Sequence, residues 1–287
     1  MLTGQNDEYK YSGLMSIYFK EKSERFEKAM DSILKQEVLP LEFILVEDGP
    51  LTQSLYESID KIKKIFELHN INFIIVENET NQGLGRALNN GMKKANCNLI
   101  ARFDSDDINR PDRMGKTLDR FRSNQNLVLI GSNILEFDPN NSDFVQYRKV
   151  PIGKKNIVKK ISSRNPFNHM TVTFKKNAVE GVGGYEDVPY FEDYYLWFRL
   201  LKKGYNIDNI DETLVDAFVD SNFYTRRSGV QYLFKEINFQ TLIFKKRYIS
   251  FFKYLYNLIV RGGSRLIPHD AMKYVYLIIR RHENTFN

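Results

Sequence analysis

Leu99-Ile100-Ala101-Arg102-Phe103-Asp104-Ser105-Asp106-Asp107 runs from a short apolar stretch straight into a group of carboxylates. In an extended strand successive side chains alternate faces, so Asp104 and Asp106 point to the same side and can share one hard divalent cation. The competing reading is a polar loop after a strand, with Asp107 capping the helix that starts near Pro111. The flanking sequence repeats the same grammar. Leu14–Phe19 reads as a strand, Phe26, Ala29, Met30, Ile33 and Leu34 recur at helical spacing, and Phe43-Ile44-Leu45-Val46 is a buried strand ended by Glu47-Asp48-Gly49-Pro50. A helix from about Ser54 to Leu68, the strand Phe73–Val76, a helix from about Gly83 to Ala95, the strand Leu99–Phe103 and a helix entered through Arg110-Pro111 continue the alternation. Such alternation predicts an α/β fold, a mostly parallel central sheet with helices on both faces. Ligands in such sheets bind beyond the carboxyl ends of the strands. The acids at 47–48 and at 104–107 both end strands, which puts them on one rim.

Beyond Val128–Ile130 the pattern loosens into short strands, loops and two helices, read as completing the same domain through residue 220. One helix, 192–203, opens with Glu192-Asp193, ends near Gly204, and carries Leu196, Trp197, Leu200 and Leu201 on one apolar face. From Gly229 onward Leu233, Ile237, Phe244, Tyr248, Phe251, Leu255 and Ile259 follow roughly helical spacing. The expected division is a domain over 1–225, with halves at about 14–130 and 131–225, and a helical extension over 226–287.

The 287 residues carry 42% apolar and 27% charged side chains, an ordinary globular mixture. A single cysteine, Cys97, excludes an internal disulfide and any multi-cysteine metal cluster, which fits a reducing compartment. The first residues lack the apolar core of a signal peptide and no apolar run approaches spanning length, so the expected location is cytoplasmic. The net charge of +6 is unevenly placed: residues 226–287 hold 12 Lys or Arg against 3 Asp or Glu, together with 12 of the 39 aromatic residues. That composition suits an anionic surface partner, nucleic acid or lipid.

A metal held by Asp104 and Asp106 keeps open positions for a diphosphate, with Mg²⁺ or Mn²⁺ preferred because every donor is hard. Its task would be to neutralise a departing phosphate. Asp48 can accept a hydrogen bond from a nucleobase or sugar, or simply close an Asp-Gly turn. Glu192-Asp193 sits where a helix start favours acids, but Tyr190, Phe191, Tyr194 and Tyr195 around the pair also suit a sugar pocket with a general base. His169 precedes the alternating strand Thr171–Phe174 and is either structural or functional. Arg226-Arg227 can pair with phosphate oxygens or be a plain surface pair. Gly83-Leu84-Gly85 has the wrong spacing for a dinucleotide fingerprint, which removes an NAD enzyme.

Taken in order over residues 14–220, Leu14–Phe19, Val46-Glu47-Asp48-Gly49, Asn81-Gln82-Gly83 with Ala87–Gly91, Ala101–Asp107, Gly183-Gly184-Tyr185 and Glu192–Trp197 resemble the family 2 inverting glycosyltransferases of the GT-A fold. The resemblance implies a Rossmann-like GT-A domain followed by the helical extension. It implies nucleotide-sugar contacts from Tyr18, Glu47, Asp48, Asn81, Gly83, Arg102 and Asp104, metal ligation by Asp104 and Asp106, and Asp193 as base with Glu192 beside it. His169, Arg226 and Arg227 would serve the acceptor or diphosphate. The runs at 48–52 and 223–229 look most like bacterial O-antigen and exopolysaccharide enzymes acting on undecaprenyl-diphosphate-linked sugars. On that likeness the donor is a UDP-sugar, galactose or glucose, the acceptor a lipid-linked saccharide, and the extension a contact with the inner-membrane surface rather than with nucleic acid. Packing on the domain and homodimer formation are the alternative uses of the extension. The chain departs from the usual pattern at Glu47, where Asp is common, and at Leu88, where many members carry Arg. Competing functions are a metal-dependent nucleotidyltransferase, a non-catalytic nucleotide-sugar or polyanion binding module, and a glycosidase, which would need no diphosphate-binding metal.

Overall fold

The computed structural model describes residues 9–138, 141–219 and 229–263. The first half alternates strand and helix: β1 (Tyr11–Ile17), α1 (Ser23–Leu34), β2 (Glu42–Asp48), α2 (Gln53–Leu68), β3 (Asn72–Asn78), α3 (Leu84–Lys94) and β4 (Leu99–Arg102). These four strands lie parallel in the order β3-β2-β1-β4. Their residues alternate between two cores. Leu14, Ile44, Val46 and Ile100 face one side, and Met15, Phe43, Leu45 and Leu99 face the other. β1, β2 and β4 are therefore buried on both faces, whereas β3 at the sheet edge is mostly half-buried. Gly91 lets α3 lie directly on β1 and β2, because a Cβ there would stand 2.5 Å from Leu14 and 2.6 Å from Val46.

The second half adds β5 (Ile108–Asn109), α4 (Arg113–Ser123), β6 (Leu127–Asp138), β7 (Asn141–Arg148), α5 (Lys154–Ile161), β8 (Thr173–Lys175), α6 (Lys176–Glu180), α7 (Glu192–Lys202) and β9 (Asn206–Phe218). They extend the sheet to the order β3-β2-β1-β4-β8-β6-β9-β5, with β7 paired to β6. This half is mixed: β8 runs antiparallel to both β4 and β6, whereas β6 and β9 are parallel. Short β8, reached through α5, lies between β4 and β6 and is antiparallel to each.

The extension forms α8 (Gly229–Lys245) and α9 (Phe251–Asn257), followed by a π-turn at Leu258–Gly262. A left-handed residue, Arg247 at φ 60°, separates the helices, so the helical spacing read across 233–259 belongs to two elements. The helix α7 was expected to bury one face, yet its residues from Asp193 to Leu200 are all buried. Its second face is covered by α8 and the turn after it: the Tyr194 and Phe239 rings lie 5.0 Å apart, and Phe198 meets Tyr248, just past α8, at 5.2 Å. Among the described residues no helix is long and apolar enough to cross a membrane.

Candidate active site

Because β1, β2 and β4 are parallel neighbours, their carboxyl ends share one edge. Tyr18, just past β1, stands there 38% exposed with its ring against the Phe19 edge. At the end of β2 the two acids divide. Asp48 is buried and folds back on the loop before α3, accepting from the Gln82 and Gly83 amides at 2.8 and 2.9 Å and from Asn78 Nδ2 at 3.0 Å. Asn81 Nδ2 donates to the Asp48 carbonyl at 3.2 Å. Asp48 thus shapes the loop that carries Asn81 and Gly83, more than the Asp-Gly turn considered from sequence. Gly83 holds φ 85° with open space where a Cβ would be, so the chain leaves room beside the α3 N-terminus. Glu47 makes no such bonds among the described residues; burial first, then the charges of Glu77 and Asp60, push its carboxyl upward. Leu88 is fully buried in the core, so this departure from the family pattern is a packing residue.

The strand β4 ends at Arg102, so residues 103–107 turn instead of alternating. The turn brings Asp107 in as well: carboxylate oxygens of Asp104, Asp106 and Asp107 all lie within 4.8 Å of one another. Asp107 does not cap α4, whose N-cap is Asp112. One Asp107 oxygen accepts from the Phe218 amide at 3.0 Å, and the other is buried without a partner among the described residues. Burial, followed by the Asp106 and Asp104 charges, raises the Asp107 carboxyl well above the ordinary range, and burial with the Asp104 and Glu21 charges raises Asp106. An orphaned carboxylate oxygen in a cluster of mutually repelling acids fits a divalent cation with hard oxygen donors. Arg102 pairs its buried guanidinium with Asp104, while its Nε and Nη1 lack partners among the described residues, and the Arg25 charge also offsets that of Asp106.

The Glu192-Asp193 pair opens α7 on the other side of the site. Asp193 accepts from Asn165 Nδ2 at 2.7 Å and from the Tyr194 amide at 2.6 Å. Burial, then the Asp193 charge, pushes the Glu192 carboxyl up to about 7. Gly85 is what lets α3 approach this pair, since a Cβ there would touch Glu192 and Tyr185 at 3.3 Å.

Tyr185, quoted in the Gly-Gly-Tyr motif but given no role from sequence, joins the two acid groups. Its backbone exchanges bonds with Asn89 at 2.7 and 2.8 Å, and Arg199 Nη2 donates to the Gly184 carbonyl at 2.6 Å. Its buried hydroxyl feels the charges of Arg102, Asp193, Glu192 and Asp104. His169 Nε2 meets that hydroxyl at 3.0 Å and its ring lies edge-on to Trp197. Burial, reinforced by Arg102, holds this imidazole well below its usual range, which favours its neutral form. Arg226 and Arg227 lie outside the described residues.

Residues 14–181 match Glycosyl transferase family 2, a span that contains both strand-end acid groups and stops before Glu192. The chain belongs to that family. As a family 2 glycosyltransferase it is 37% identical over 277 residues to the Escherichia coli UDP-Gal:alpha-D-GlcNAc-diphosphoundecaprenol beta-1,3-galactosyltransferase, covering 96% of this chain and 98% of that protein. It is 32% identical to the amylovoran biosynthesis glycosyltransferase AmsE of Erwinia amylovora, covering 93% and 97%. Among solved structures, the mannosyltransferase PcManGT from Pyrobaculum calidifontis in complex with GDP-Man and Mn²⁺ superposes with a TM-score of 0.65 at 14% identity, over 94% of this chain and 75% of that one. S. aureus TarS 1-349 in complex with UDP-GlcNAc gives 0.59 at 16% identity, over 82% and 66%. These likenesses establish the GT-A-like curled mixed sheet.

Proposed function

We propose that this glycosyltransferase moves a hexose, galactose or glucose, from its UDP donor to a lipid-linked saccharide such as GlcNAc-diphosphoundecaprenol, forming a β-linkage during O-antigen or related surface-polysaccharide assembly. The observation that carries the reading is the full-length similarity to the E. coli galactosyltransferase, joined to a helix-start carboxylate facing a strand-end acid cluster.

Asp193, oriented by Asn165, accepts the proton of the acceptor hydroxyl while that oxygen forms its bond to the anomeric carbon. The bond from that carbon to the diphosphate oxygen breaks in the same displacement, and its electron pair leaves with the nucleoside diphosphate. One displacement inverts the anomeric centre. Asp104, Asp106 and Asp107 would hold a Mn²⁺ or Mg²⁺ ion, which when bound supplies Lewis-acid neutralisation of the leaving diphosphate. Arg102 fixes Asp104 from below. Glu47, with Asp48 shaping the loop, Tyr18, Asn81 and Gly83 form the nucleotide side. Glu192, near half-protonated at neutral pH, donates to or accepts from the bound sugar. His169, Arg226 and Arg227 serve the acceptor or its diphosphate.

Residues 1–225 form the catalytic domain and 226–287 an extension that brings it to the cytoplasmic face of the inner membrane. Phe251, Phe252, Tyr256 and Ile259 are exposed by 53%, 82%, 55% and 75%. Aromatic and aliphatic side chains beside lysines suit an anionic bilayer surface.

The test is incubation with Mn²⁺, a panel of sugar nucleotides and a synthetic N-acetylglucosaminyl diphosphate lipid, with products read by mass. A hexose added from UDP-galactose or UDP-glucose, and lost with Asp193→Asn while donor binding persists, supports the reading. Donor binding without transfer to that lipid overturns the acceptor assignment.

A further inference from the structure

We propose that Glu236 and Arg261, in the C-terminal extension, are positioning residues for Asp193, acting through the loop 161–165 and Asn165. This rests on the reading of Asp193 as base.

Glu236 on α8 is 1% exposed and accepts from Arg261 Nε at 2.6 Å and Nη2 at 3.1 Å. The third arm of that guanidinium, Nη1, donates to the Ser163 carbonyl at 2.8 Å. Asn257 Nδ2 donates to the Ser162 carbonyl at 2.9 Å and to Gln240 Oε1 at 2.8 Å, and Gln240 Nε2 returns to Glu236 Oε1 at 3.0 Å. The Tyr194 hydroxyl donates to the Ile161 carbonyl. Three successive carbonyls at the end of α5 are thus held by side chains, two of them from the extension, where a helix leaves its carbonyls without intrahelical partners.

Two residues farther on, Asn165 accepts from the Phe167 amide at 3.2 Å through Oδ1 and donates to Asp193 through Nδ2. The loop is clamped at one end by the extension and delivers its amide to the base at the other. A buried ion pair adds little stability over apolar packing of equal volume. What Arg261 supplies is geometry, a planar fork that fixes Ser163 relative to α8. The other approach to Asp193 rests on the same helix. Phe191 stacks on Phe239 at 4.5 Å, and Tyr190, held at φ 72°, sets its ring edge-on to Tyr232 beneath Lys235 Nζ. A non-glycine residue persists in that backbone region only where its surroundings hold it there.

The experiment uses the full chain with UDP-galactose and the same N-acetylglucosaminyl diphosphate lipid, comparing Asn165→Ala, the charge-neutral pair Glu236→Gln/Arg261→Met, and all three substitutions together. A misplaced base costs turnover more than donor binding, so each is expected to lower kcat about 10- to 100-fold with donor KM within about twofold. Because both act through one contact, the combined variant should lose no more than the larger single loss. Arg261→Lys keeps the charge but not the fork, and should give an intermediate kcat if the neutral pair fails to fold. Unchanged kcat in Arg261→Lys or in a folded neutral pair, or additive losses, would overturn the proposal. Asp193→Asn is the reference: if it is inactive while Asn165→Ala is normal, only this proposal fails, whereas an active Asp193→Asn removes the base assignment and the proposal with it.

Discussion

Replacing Asp107 by Asn tests whether the third acid of the cluster is a ligand or only a brace for β9. Asn keeps a carbonyl oxygen to accept from the Phe218 amide but removes the charge and the orphaned carboxylate oxygen. Losing an outer-shell partner alone weakens metal binding about 10- to 100-fold, so losing a direct ligand should reach the upper end, about 100-fold. At a Mn²⁺ concentration 100 times the wild-type Kd, binding stabilises the folded protein by about 2.7 kcal/mol, and by only about 0.4 kcal/mol once Kd rises 100-fold. For a chain of this size about 2 °C in Tm accompanies each kcal/mol, so Mn²⁺ should raise the wild-type Tm by ~5 °C and that of Asp107→Asn by ~1 °C. In EDTA the order reverses, because the variant relieves repulsion among three clustered acids. Thermal scans with and without Mn²⁺, with calorimetric titration for Kd, read both effects. Equal Mn²⁺-induced shifts in the two proteins would refute the ligand role.

Gly91→Ala drives a methyl into Leu14 and Val46 at the α3 seat and should cost about 1–3 kcal/mol in urea unfolding, with nucleotide-site residues untouched. Glu192 has a folded value near 7 against an unfolded value near 4.5, so it binds its proton more tightly when folded. Its stabilising share is complete below about pH 4.5 and lost as pH rises through 7, and Glu192→Gln should flatten the fall in Tm between pH 5 and 8 relative to wild type. Phe252→Ser and Ile259→Ser should each weaken binding to anionic vesicles about 10-fold, roughly the burial of one large apolar side chain, while transfer to a short-chain acceptor in detergent-free buffer is retained. Equal vesicle binding by wild type and both variants would remove α9 and the turn after it from the membrane contact.

The parallel half of the sheet was legible because each strand is a local apolar run ended by its own turn residues. That alone placed Glu47-Asp48 and Asp104-Asp106 on one rim. Strand alternation paired Asp104 with Asp106 and left Asp107 only the part of a helix cap in the competing reading; β4 stops at Arg102, and the turn that follows, which brings all three acids together, has no period to read. The inward fold of Asp48 depends on amides at 82 and 83, more than thirty residues away. Tyr185 was visible as part of a motif, but its position between the two acid groups follows from Asn89 and Arg199, which no local pattern connects to it. The second half of the sheet was harder because β8, three residues long, joins β4 to β6 through antiparallel pairing that leaves no periodic trace. The buried face that α7 turns to α8 is likewise set by tertiary contact, and the Glu236–Arg261 clamp reaches Ser163 across nearly a hundred residues.

The most direct test of the central claim is the anomeric configuration of the new linkage, read by NMR on the lipid product made from UDP-galactose by wild type and by Asp193→Asn. The account predicts a β-linked galactose from the wild type and none from the variant under conditions where both bind donor. An α-linked product, or wild-type turnover by Asp193→Asn, would contradict a single inverting displacement with Asp193 as its base.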